Sequence, residues 1–268
     1  MSDHETITLS GETHSLGLLA HPCGRQSLCA LFEDHVEPWS EAALLNWAMI
    51  HGGKRMKFFD STWVESQGSH GSCAAYAAAS CLSKARVLRG LPRVDLSGAY
   101  LYSRTNGGHD SGSMLQDHME AIQKFGSCKE ATVTVNQIYR HDYDTKKADA
   151  EASTMKAWEP YAAGSRLGLY TAIAMGFPCE VAVHVSSGFD RFDSNGFPGG
   201  SSGGGNHAVH ADDLVVIEGR LALCGQNSWG TNWGPMRGRM MLDWDRHLER
   251  PWENHLAFAI RSTLDGGA

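Results

Sequence analysis

The chain has 268 residues, 42% of them hydrophobic and 20% charged, which is enough for one sizeable domain or two lobes and excludes a disordered chain. The formal net charge is −7 without a basic run, so neither nucleic acid nor an anionic membrane is expected as a partner. The longest apolar runs, such as residues 74–79, are far shorter than the ~20 residues of a membrane span, and the first five residues lack the basic start of a signal peptide. We therefore expect the chain to work in the cytoplasm or another reducing compartment.

Seven cysteines are present: Cys23, Cys29, Cys73, Cys81, Cys128, Cys179 and Cys224. Their number is odd, and no two of them have the C-x2-C spacing of a metal site. In the absence of a signal peptide, most of them are expected to be reduced and to serve as small buried hydrophobic residues. The sequence therefore predicts no disulfide framework, no metal and no cofactor.

Helix signals are concentrated in the first half of the chain. Residues 1–57 are a weakly patterned N-terminal extension of unknown role that contains one such signal. In the strongest helix prediction, Ser72 can act as the N-cap and Gly90 follows the last turn. The predicted helices cover about Ser40–Ile50, Cys73–Arg89, and a segment from a capping box at Ser113–Gln116 to Gly126.

The pattern changes to strands after about residue 164. A short helix over about Arg166–Met175 precedes alternating valines at 181, 183 and 185, and residues 189–206 form a glycine-rich loop. The predicted strands then cover His207–Ile217, Arg220–Cys224, Met236–Leu242 and Leu256–Ile260, with a hairpin turn at Glu218 and Gly219. This order, with helices in the first half of the chain and strands in the second, predicts an α+β fold with two lobes. The helical lobe would cover about 58–163 and the β lobe about 164–268.

One cysteine has the setting of a nucleophile. Cys73 begins the strongest predicted helix and ends the segment Gln67-Gly-Ser-His-Gly-Ser-Cys73. The positive end of a helix dipole favours a thiolate there. The amide of Gln67, six residues upstream, can supply a donor for an oxyanion. We predict that Cys73 is the most reactive of the seven thiols at pH 6.

The strand half supplies a base and a residue that can orient it. His207 begins a predicted strand after the glycine loop, and Asn227 and Trp229 follow the next strand in Asn-Ser-Trp-Gly. The Asn227 oxygen can accept from the imidazole, and Trp229 can shield that bond from water. A metal site is disfavoured because His207 and His210 lie three residues apart and would face opposite sides of a strand. Asp212 and Asp213 would be the carboxylate ligands of that metal site.

These motifs, in this order, resemble the papain-like cysteine peptidases. His207 follows Cys73 by 134 residues, within the ~130–150 expected of that family. The resemblance covers about residues 58–262 and implies a two-lobe fold, with a helical lobe and a β-barrel-like lobe that meet at a cleft. It implies Cys73 as nucleophile, His207 as base and acid, Asn227 as its orienter and Gln67 as oxyanion donor. Gly112, Ser113 and Trp229 would contact a protein or peptide substrate. We expect Cys73 Sγ and a ring nitrogen of His207 to lie within about 4 Å.

Two departures from the family pattern concern the loop before the nucleophile. His70 stands where the family has a cysteine, so the usual disulfide beside the site is absent, and Ala74 replaces an aromatic residue. We expect His70 to anchor the loop by hydrogen bonding instead. The first 57 residues lack the charged helical pattern of the family's inhibitory propeptides, so autoinhibition by that route is not predicted.

Two other functions remain open at this point. The first is a catalytically weak relative that acts as a structural or binding component of a larger assembly, for example a virus particle, with a partner bound through residues 1–57. The second is another Cys-His enzyme, such as a cell-wall amidase or a transglutaminase-like acyltransferase. The intact Cys73, His207 and Asn227 set favours a peptidase over both.

Overall fold

The computed structural model describes residues 4–19, 29–157, 159–200, 205–249, 257–260 and 263–265, the last of these by backbone alone. The helices are α1 (Glu41–His51), α2 (Lys54–Phe58), α3 (Cys73–Leu88), α4 (Gly98–Thr105), α5 (Leu115–Lys124), α6 (Thr145–Ala152) and α7 (Arg166–Ala174). Short 3-10 turns lie at Phe32–Asp34 and Ser61–Trp63, and a π turn lies at Trp244–Leu248. Within these residues, no helix has the length and apolar character needed to cross a membrane.

Over the part of the chain that the structure describes, the strands form three sheets. They are β1 (Thr6–Leu9), β2 (Glu12–Ser15), β3 (Ala30–Leu31), β4 (Met155–Ala157), β5 (Pro160–Ala163), β6 (Cys179–Val183), β7 (His207–Ile217), β8 (Arg220–Gln226), β9 (Arg239–Leu242), β10 (Ala257–Ile260) and β11 (Thr263–Asp265). The largest sheet has the order β3-β5-β10-β6-β7-β8-β9, and small pairs are formed by β1 with β2 and by β11 with β4.

The seven-stranded sheet is antiparallel except where β3 pairs with β5. Its longest strand, β7, pairs with β6 on one side and β8 on the other. The β7–β8 hairpin turns at Glu218 and Gly219, which both have positive φ, as the predicted turn requires. This hairpin carries His207 at its start, and Asn227 directly follows its end, so the two residues lie at the same edge of the sheet.

Helix α3 joins the helical part of the molecule to this sheet. Every residue from Cys73 to Arg86 is buried, because the alanine-rich surface lets neighbouring elements approach closely on all sides. The helix packs against α4 and α5 and also against β7. One apolar core surrounds α3, α4 and α5, and a second lies between the sheet and helices α1 and α7. The predicted two-lobe α+β fold is confirmed.

The predicted helices occur within one or two residues of their predicted bounds, but one predicted cap is wrong. Ser72 occupies the predicted N-cap position of α3, although its side chain makes no capping bond. The N-cap of α5 is Met114, and the Ser113 hydroxyl instead lies 2.6 Å from His118 Nε2. The predicted capping box at Ser113 is therefore not formed. The strand predicted at Met236–Leu242 is shorter in the structure and covers only Arg239–Leu242.

Residues from the first 57 pack into the sheet lobe. Leu9, Leu16, Phe32 and Leu44 belong to the same core as β6 and β7, and α1 packs against α7 and β7. The extension therefore shares a core with the sheet. Folding of residues 58–268 as a separate domain stays a prediction.

The described thiols agree with the expectation of buried, reduced residues. Cys73, Cys81, Cys128, Cys179 and Cys224 are free and buried. Cys23 lies outside the described residues.

Candidate active site

Cys73 is the first residue of α3 and is completely buried. Its sulfur receives hydrogen bonds from the backbone of Ala208, Gly17 and Ala74. Ala74 belongs to the first turn of the helix, where backbone N–H groups have no partner inside the helix. Ala208 directly follows His207 on β7, so the strand that carries the predicted base contacts the predicted nucleophile. A separation of about 4 Å between Cys73 Sγ and a ring nitrogen of His207 stays a prediction.

The His207 ring is held by Asn227. Its Nε2 lies 2.7 Å from Asn227 Oδ1, which also accepts from the backbone N–H of Ser228 at 2.8 Å. Because Oδ1 can only accept, Nε2 carries the hydrogen and Nδ1 carries the lone pair. Nδ1 has no hydrogen-bond partner among the described residues. The imidazole is therefore oriented as a proton acceptor.

The Trp229 ring lies against the ring of His207. Its ring centroid lies 4.6 Å from that of His207, and the side chain is only 8% exposed. It also makes edge-to-face contacts with Phe189 and Trp233. A stacked aromatic ring keeps water away from the histidine–asparagine bond.

Gln67 is buried, and its amide is fixed in orientation from several sides. Its Oε1 accepts from the Ser228 hydroxyl at 2.6 Å, and its backbone N–H donates to Ser228 O at 2.8 Å. The amide Nε2 donates to His70 O at 2.7 Å and to Ser15 O at 3.2 Å. The predicted oxyanion donor therefore already binds a carbonyl oxygen, that of Ser15.

The loop between Gln67 and Cys73 is anchored through Asp110. His70 Nδ1 lies 3.1 Å from Asp110 Oδ2, while the Gly71 N–H and the Tyr102 hydroxyl donate to Oδ1 at 2.9 and 2.8 Å. Burial by itself would raise the pKa of Asp110, but the hydrogen bonds from His70, Gly71 and Tyr102 outweigh it and lower that pKa. His70 thus has the anchoring contact that was expected in place of a disulfide.

The site contains a segment that the sequence did not indicate. We call residues 14–19 the N-terminal strap, because they cross the cleft directly over the nucleophile. The His14 ring stacks on Trp229 with centroids 4.3 Å apart. The Ser15 carbonyl binds Gln67 Nε2, and the Gly17 backbone binds the Cys73 sulfur. Each predicted catalytic group except the Asn227 amide therefore has the strap as a close neighbour.

The strap also occupies the predicted substrate-binding backbone. Ser113 N–H donates to Gly17 O at 2.8 Å, and Leu19 N–H donates to Ser113 O at 3.0 Å, which forms a parallel bridge between Leu18 and Ser113. On the opposite side, Leu18 N–H donates to Asn206 O at 3.3 Å. The strap therefore pairs with both walls of the cleft in the manner of an added strand.

Only glycine fits at the centre of the strap. A Cβ added to Gly17 would lie 2.0 Å from Gly71 O, and one added to Gly112 would lie 2.4 Å from Gly17 O. Both contacts are with backbone atoms, which cannot move aside as a flexible side chain can. Gly112 also has a positive φ and its N–H donates to the Tyr102 hydroxyl at 3.0 Å. Close backbone approach is thus the reason for both glycines.

Burial under the strap raises the pKa of Cys73 and lowers that of His207, and both changes disfavour a thiolate–imidazolium pair. Burial raises the pKa of Cys73 to about 11, against the smaller opposing effect of its backbone hydrogen bonds. Burial also lowers the pKa of His207 to about 4, while the bond to Asn227 acts in the opposite direction and nearby His14 lowers it further. In this closed arrangement desolvation is stronger than the stabilisation of a thiolate at the helix start. The expectation that Cys73 is the most reactive of the seven thiols stays a prediction.

Sequence reasoning missed the strap, His14, Tyr102 and Asp110. The signal in the sequence was small: residues 16–19 are an apolar stretch in a largely polar opening. Asp110 carried no motif, because its contacts with His70 and Tyr102 arise only in the fold.

The acidic residues near His207 do not form a metal centre. His210 and Asp212 both contact the Lys84 ammonium, at 2.6 and 2.5 Å. Over the residues described, no cluster of histidine, cysteine and carboxylate side chains could hold an ion.

A family model described as the papain family of cysteine proteases matches residues 54–249. The fold and the match together show the class: this chain belongs to the papain family of cysteine proteases.

The solved structures that are similar to it include the following three. Xylellain, a cysteine protease from Xylella fastidiosa, has a TM-score of 0.66 at 19% identity, over 92% of this chain and 96% of that chain. Procathepsin B S9 from Trypanosoma congolense has a TM-score of 0.61 at 15% identity, over 91% and 85%. The bromelain protease of Ananas comosus, in complex with the E64 inhibitor, has a TM-score of 0.59 at 21% identity, over 75% and 94%. At these identities the likeness shows a shared fold. No curated protein sequence matches the chain.

Proposed function

We propose that this protein is a cysteine peptidase that hydrolyses peptide bonds of proteins or peptides through an acyl-enzyme on Cys73. The observation that carries the proposal is the state of His207, whose Nε2 donates to Asn227 at 2.7 Å while Nδ1 is unpartnered among the described residues. An imidazole fixed in this tautomer is prepared to take the proton of the Cys73 thiol, as nucleophilic catalysis requires.

In the proposed reaction, His207 Nδ1 takes the thiol proton as Sγ attacks the substrate carbonyl carbon. The carbonyl oxygen becomes an oxyanion, for which Gln67 Nε2 and the backbone N–H of Cys73 are available donors. His207 then gives its proton to the leaving amine, and a thioester remains on Cys73. A water molecule that loses a proton to His207 hydrolyses the thioester and restores the thiol.

The strap has to leave before this reaction can occur. Ser15 O lies 3.2 Å from the Gln67 donor, in the position that an oxyanion would use. Gly17 presents a hydrogen-bond donor to the sulfur, whereas attack would require a carbonyl carbon there. We infer that the closed form is a resting state and that the strap itself is not positioned for cleavage.

Departure of the strap would free the atoms that can bind an extended peptide. The strap occupies both backbone groups of Ser113: its N–H donates to Gly17 O at 2.8 Å, and its carbonyl accepts from Leu19 N–H at 3.0 Å. Gly112, next to it, has no side chain that would block a peptide. Trp229 would lose its stacking partner His14 and form part of the wall on the other side. A peptide of extended conformation can pair at these positions by backbone bonds.

A second candidate is a permanently closed relative that binds partners without turnover. The buried thiol, with its pKa raised to about 11, is the observation that favours it. In that case a reagent as small as iodoacetamide would react no faster with Cys73 than with buried Cys128.

The experiment that tests the proposal is labelling with an epoxysuccinyl probe, followed by location of the label by mass spectrometry. We expect the label on Cys73, and we expect Cys73→Ala to abolish both labelling and peptide hydrolysis. Exposure of peptidoglycan to the same protein separates a peptidase from a cell-wall amidase. Absence of label at Cys73 even after the strap has been displaced by Gly17→Val would contradict the proposal.

A further inference from the structure

A small cavity lined mostly by buried residues lies next to Asn227. Its volume of about 10 Å³ has room for the centre of one water molecule. Its lining residues include Glu65, Tyr76, Ala208, Gln226 and Asn227. They come from α3, from both strands of the β7–β8 hairpin and from the chain before Gln67, so the cavity lies where the two lobes meet.

Three buried polar atoms of the lining residues have no hydrogen-bond partner among the described residues. They are Asn227 Nδ2, the Tyr76 hydroxyl and Glu65 Oε2. Asn227 is 1% exposed and Tyr76 is 2% exposed, and Glu65 Oε2 is buried although the residue as a whole is partly exposed. Leaving three such groups unpaired around one cavity would be costly, since each unmade bond of a buried polar group is unfavourable.

We propose that a single water molecule in this cavity joins Asn227 Nδ2 to the Tyr76 hydroxyl and the Glu65 carboxyl, which makes Tyr76 and Glu65 positioning residues for the catalytic asparagine. The water accepts from Nδ2 and from the Tyr76 hydroxyl and donates to Glu65 Oε2, so all three atoms are satisfied. Three bonds are the usual number for a buried water molecule. This inference rests on the proposed peptidase function.

The orientation of the Asn227 amide decides whether His207 can act as a base. With Oδ1 toward the ring, Nε2 keeps its hydrogen and the imidazolium is stabilised. A flipped amide would direct Nδ2 at Nε2 and oppose the imidazolium that forms in catalysis. The bond from Oδ1 to Ser228 N–H at 2.8 Å favours the correct orientation from one end. The water molecule supplies an acceptor for Nδ2 at the other end, so both ends of the amide are hydrogen-bonded in this orientation.

The two proposed positioning residues are suited to this task without adding charge. Burial raises the pKa of Glu65 well above its usual range, and nearby Glu130 and Asp95 add to the effect, against Lys84 and Arg93. A neutral carboxyl can accept from the water molecule without placing a charge beside the asparagine. The Tyr76 ring packs tightly against α4, since a Cβ on Gly98 would lie 2.4 Å from it. Removal of the hydroxyl alone therefore leaves the ring packing unchanged.

The test compares Tyr76→Phe and Glu65→Leu with two reference variants in the full chain. Tyr170→Phe is the matched control, because it removes another unpartnered buried hydroxyl from the core of the sheet lobe. Glu65→Gln is the conservative variant that keeps a hydrogen-bonding group. We measure the rate of iodoacetamide reaction at Cys73 and the hydrolysis of a peptide substrate across pH, together with thermal unfolding.

Loss of one neutral hydrogen bond corresponds to about a fivefold decrease in kcat for Tyr76→Phe and Glu65→Leu. The alkaline limb of the Cys73 alkylation profile should also move downward by about half a pH unit, because the imidazolium is less stabilised. Glu65→Gln and Tyr170→Phe should resemble the wild type in both measurements. A merely structural role for Tyr76 would lower the unfolding temperature without moving this pH profile.

The inference is overturned if Tyr76→Phe and Tyr170→Phe have the same kcat and the same alkaline limb. Absence of label at Cys73 in Gly17→Val, in which the strap is displaced, would instead contradict the proposed function. A high-resolution crystal structure decides the matter independently of activity. Density for a water molecule within hydrogen-bond distance of Asn227 Nδ2 and the Tyr76 hydroxyl supports the inference, and direct contact of Nδ2 with a protein acceptor refutes it.

Discussion

Two polar clusters lie on the same strands and against the same helix, a few residues apart. The first contains Cys73, His207 and Asn227 at the edge of the cleft. The second is buried deeper and contains Lys84 of α3, His210 and Asp212 of β7, Gln226 of β8, and Arg239 of β9. Lys84 Nζ contacts His210, Asp212 and Gln226 within 2.8 Å, and Arg239 binds both Asp212 oxygens.

The two clusters differ in how completely their polar atoms are partnered. In the deep cluster, burial alone would raise the pKa of Asp212, but Arg239 and Lys84 outweigh it and hold that pKa well below its usual range. Burial lowers the pKa of Lys84 to about 8, against the attraction of Asp212. Near the cleft, the lone pair of His207 Nδ1 has no hydrogen-bond partner among the described residues. A paired cluster fixes the lobes, whereas unpartnered atoms are available for chemistry.

The largest expected effect is on the cluster at the cleft. His207→Ala should lower peptide hydrolysis by at least about a thousandfold, because the thiol then has no base. Asn227→Ala should leave a reduced but measurable rate, because the asparagine only orients the ring. Initial rates with a peptide substrate measure both. His141→Ala, at a histidine that is 83% exposed, is the control, and full activity of His207→Ala would show the assignment to be wrong.

Substitution in the deep cluster should lower the free energy of unfolding. Asp212→Asn leaves Lys84 and Arg239 buried beside a neutral amide, so we expect a loss of about 3–5 kcal/mol in the free energy of unfolding. Urea denaturation measures it. Asp193→Asn breaks a half-exposed pair with Arg246 and should cost at most about 1 kcal/mol. Similar losses in the two variants would contradict the distinction between the clusters.

Displacing the strap should affect the cluster at the cleft and leave the deep cluster unchanged. Gly17→Val cannot be accommodated 2.0 Å from Gly71 O, so the strap should leave and Cys73 labelling should rise at least about tenfold, which corresponds to ~1.4 kcal/mol. Gly188→Ala, where an added Cβ meets nothing within 4 Å, is the matched control. Slower labelling of Gly17→Val than of the wild type would contradict the blocking role of the strap.

The pH dependence of strap opening has a definite sign. Burial lowers the pKa of His207 from 6.5 to about 4, so its contribution to closure is present above pH 6.5 and is lost as the pH falls toward 4. Burial raises the pKa of Cys73 from 9.0 to about 11, so that contribution is present below pH 9 and is lost as the pH rises toward 11. Hydrogen exchange at the Gly17 amide should be slowest between pH 6.5 and 9, after correction for intrinsic exchange. Corrected exchange that is independent of pH would argue against this linkage.

The smallest expected effect is that of His70. His70→Ala removes one anchor of the loop that holds Gln67, so kcat should fall by about fivefold while KM changes little. Steady-state kinetics measure this, with the exposed neighbour of Asp110, His109→Ala, as control. An unchanged kcat would leave His70 as a contact without a catalytic consequence.

The sequence predicted the parts that depend on local pattern. Helix α3 follows from its alanine-rich run and its terminal glycine, and the β7–β8 hairpin follows from alternation on either side of Glu218 and Gly219. Because these two elements carry Cys73, His207 and Asn227, most of the candidate site could be named before the fold was known.

The parts that depend on distant contacts could not be predicted. The strap has no periodicity, and its position over Cys73 depends on backbone pairing with Ser113, nearly one hundred residues away. The Asp110 contacts of His70 and Tyr102 likewise arise only through tertiary packing. The pKa direction of Cys73 was reversed by burial, which no property of the helix start reveals.

The strap is covalently part of the chain that it covers, so dilution cannot remove it. A separate inhibitor dissociates when its concentration falls below its dissociation constant, whereas a tethered segment keeps a fixed effective concentration at the cleft. The fraction of open molecules should therefore be the same at nanomolar and micromolar protein. A binding partner that captured the β1–β2 hairpin would act as an activator, and its concentration would then control the activity.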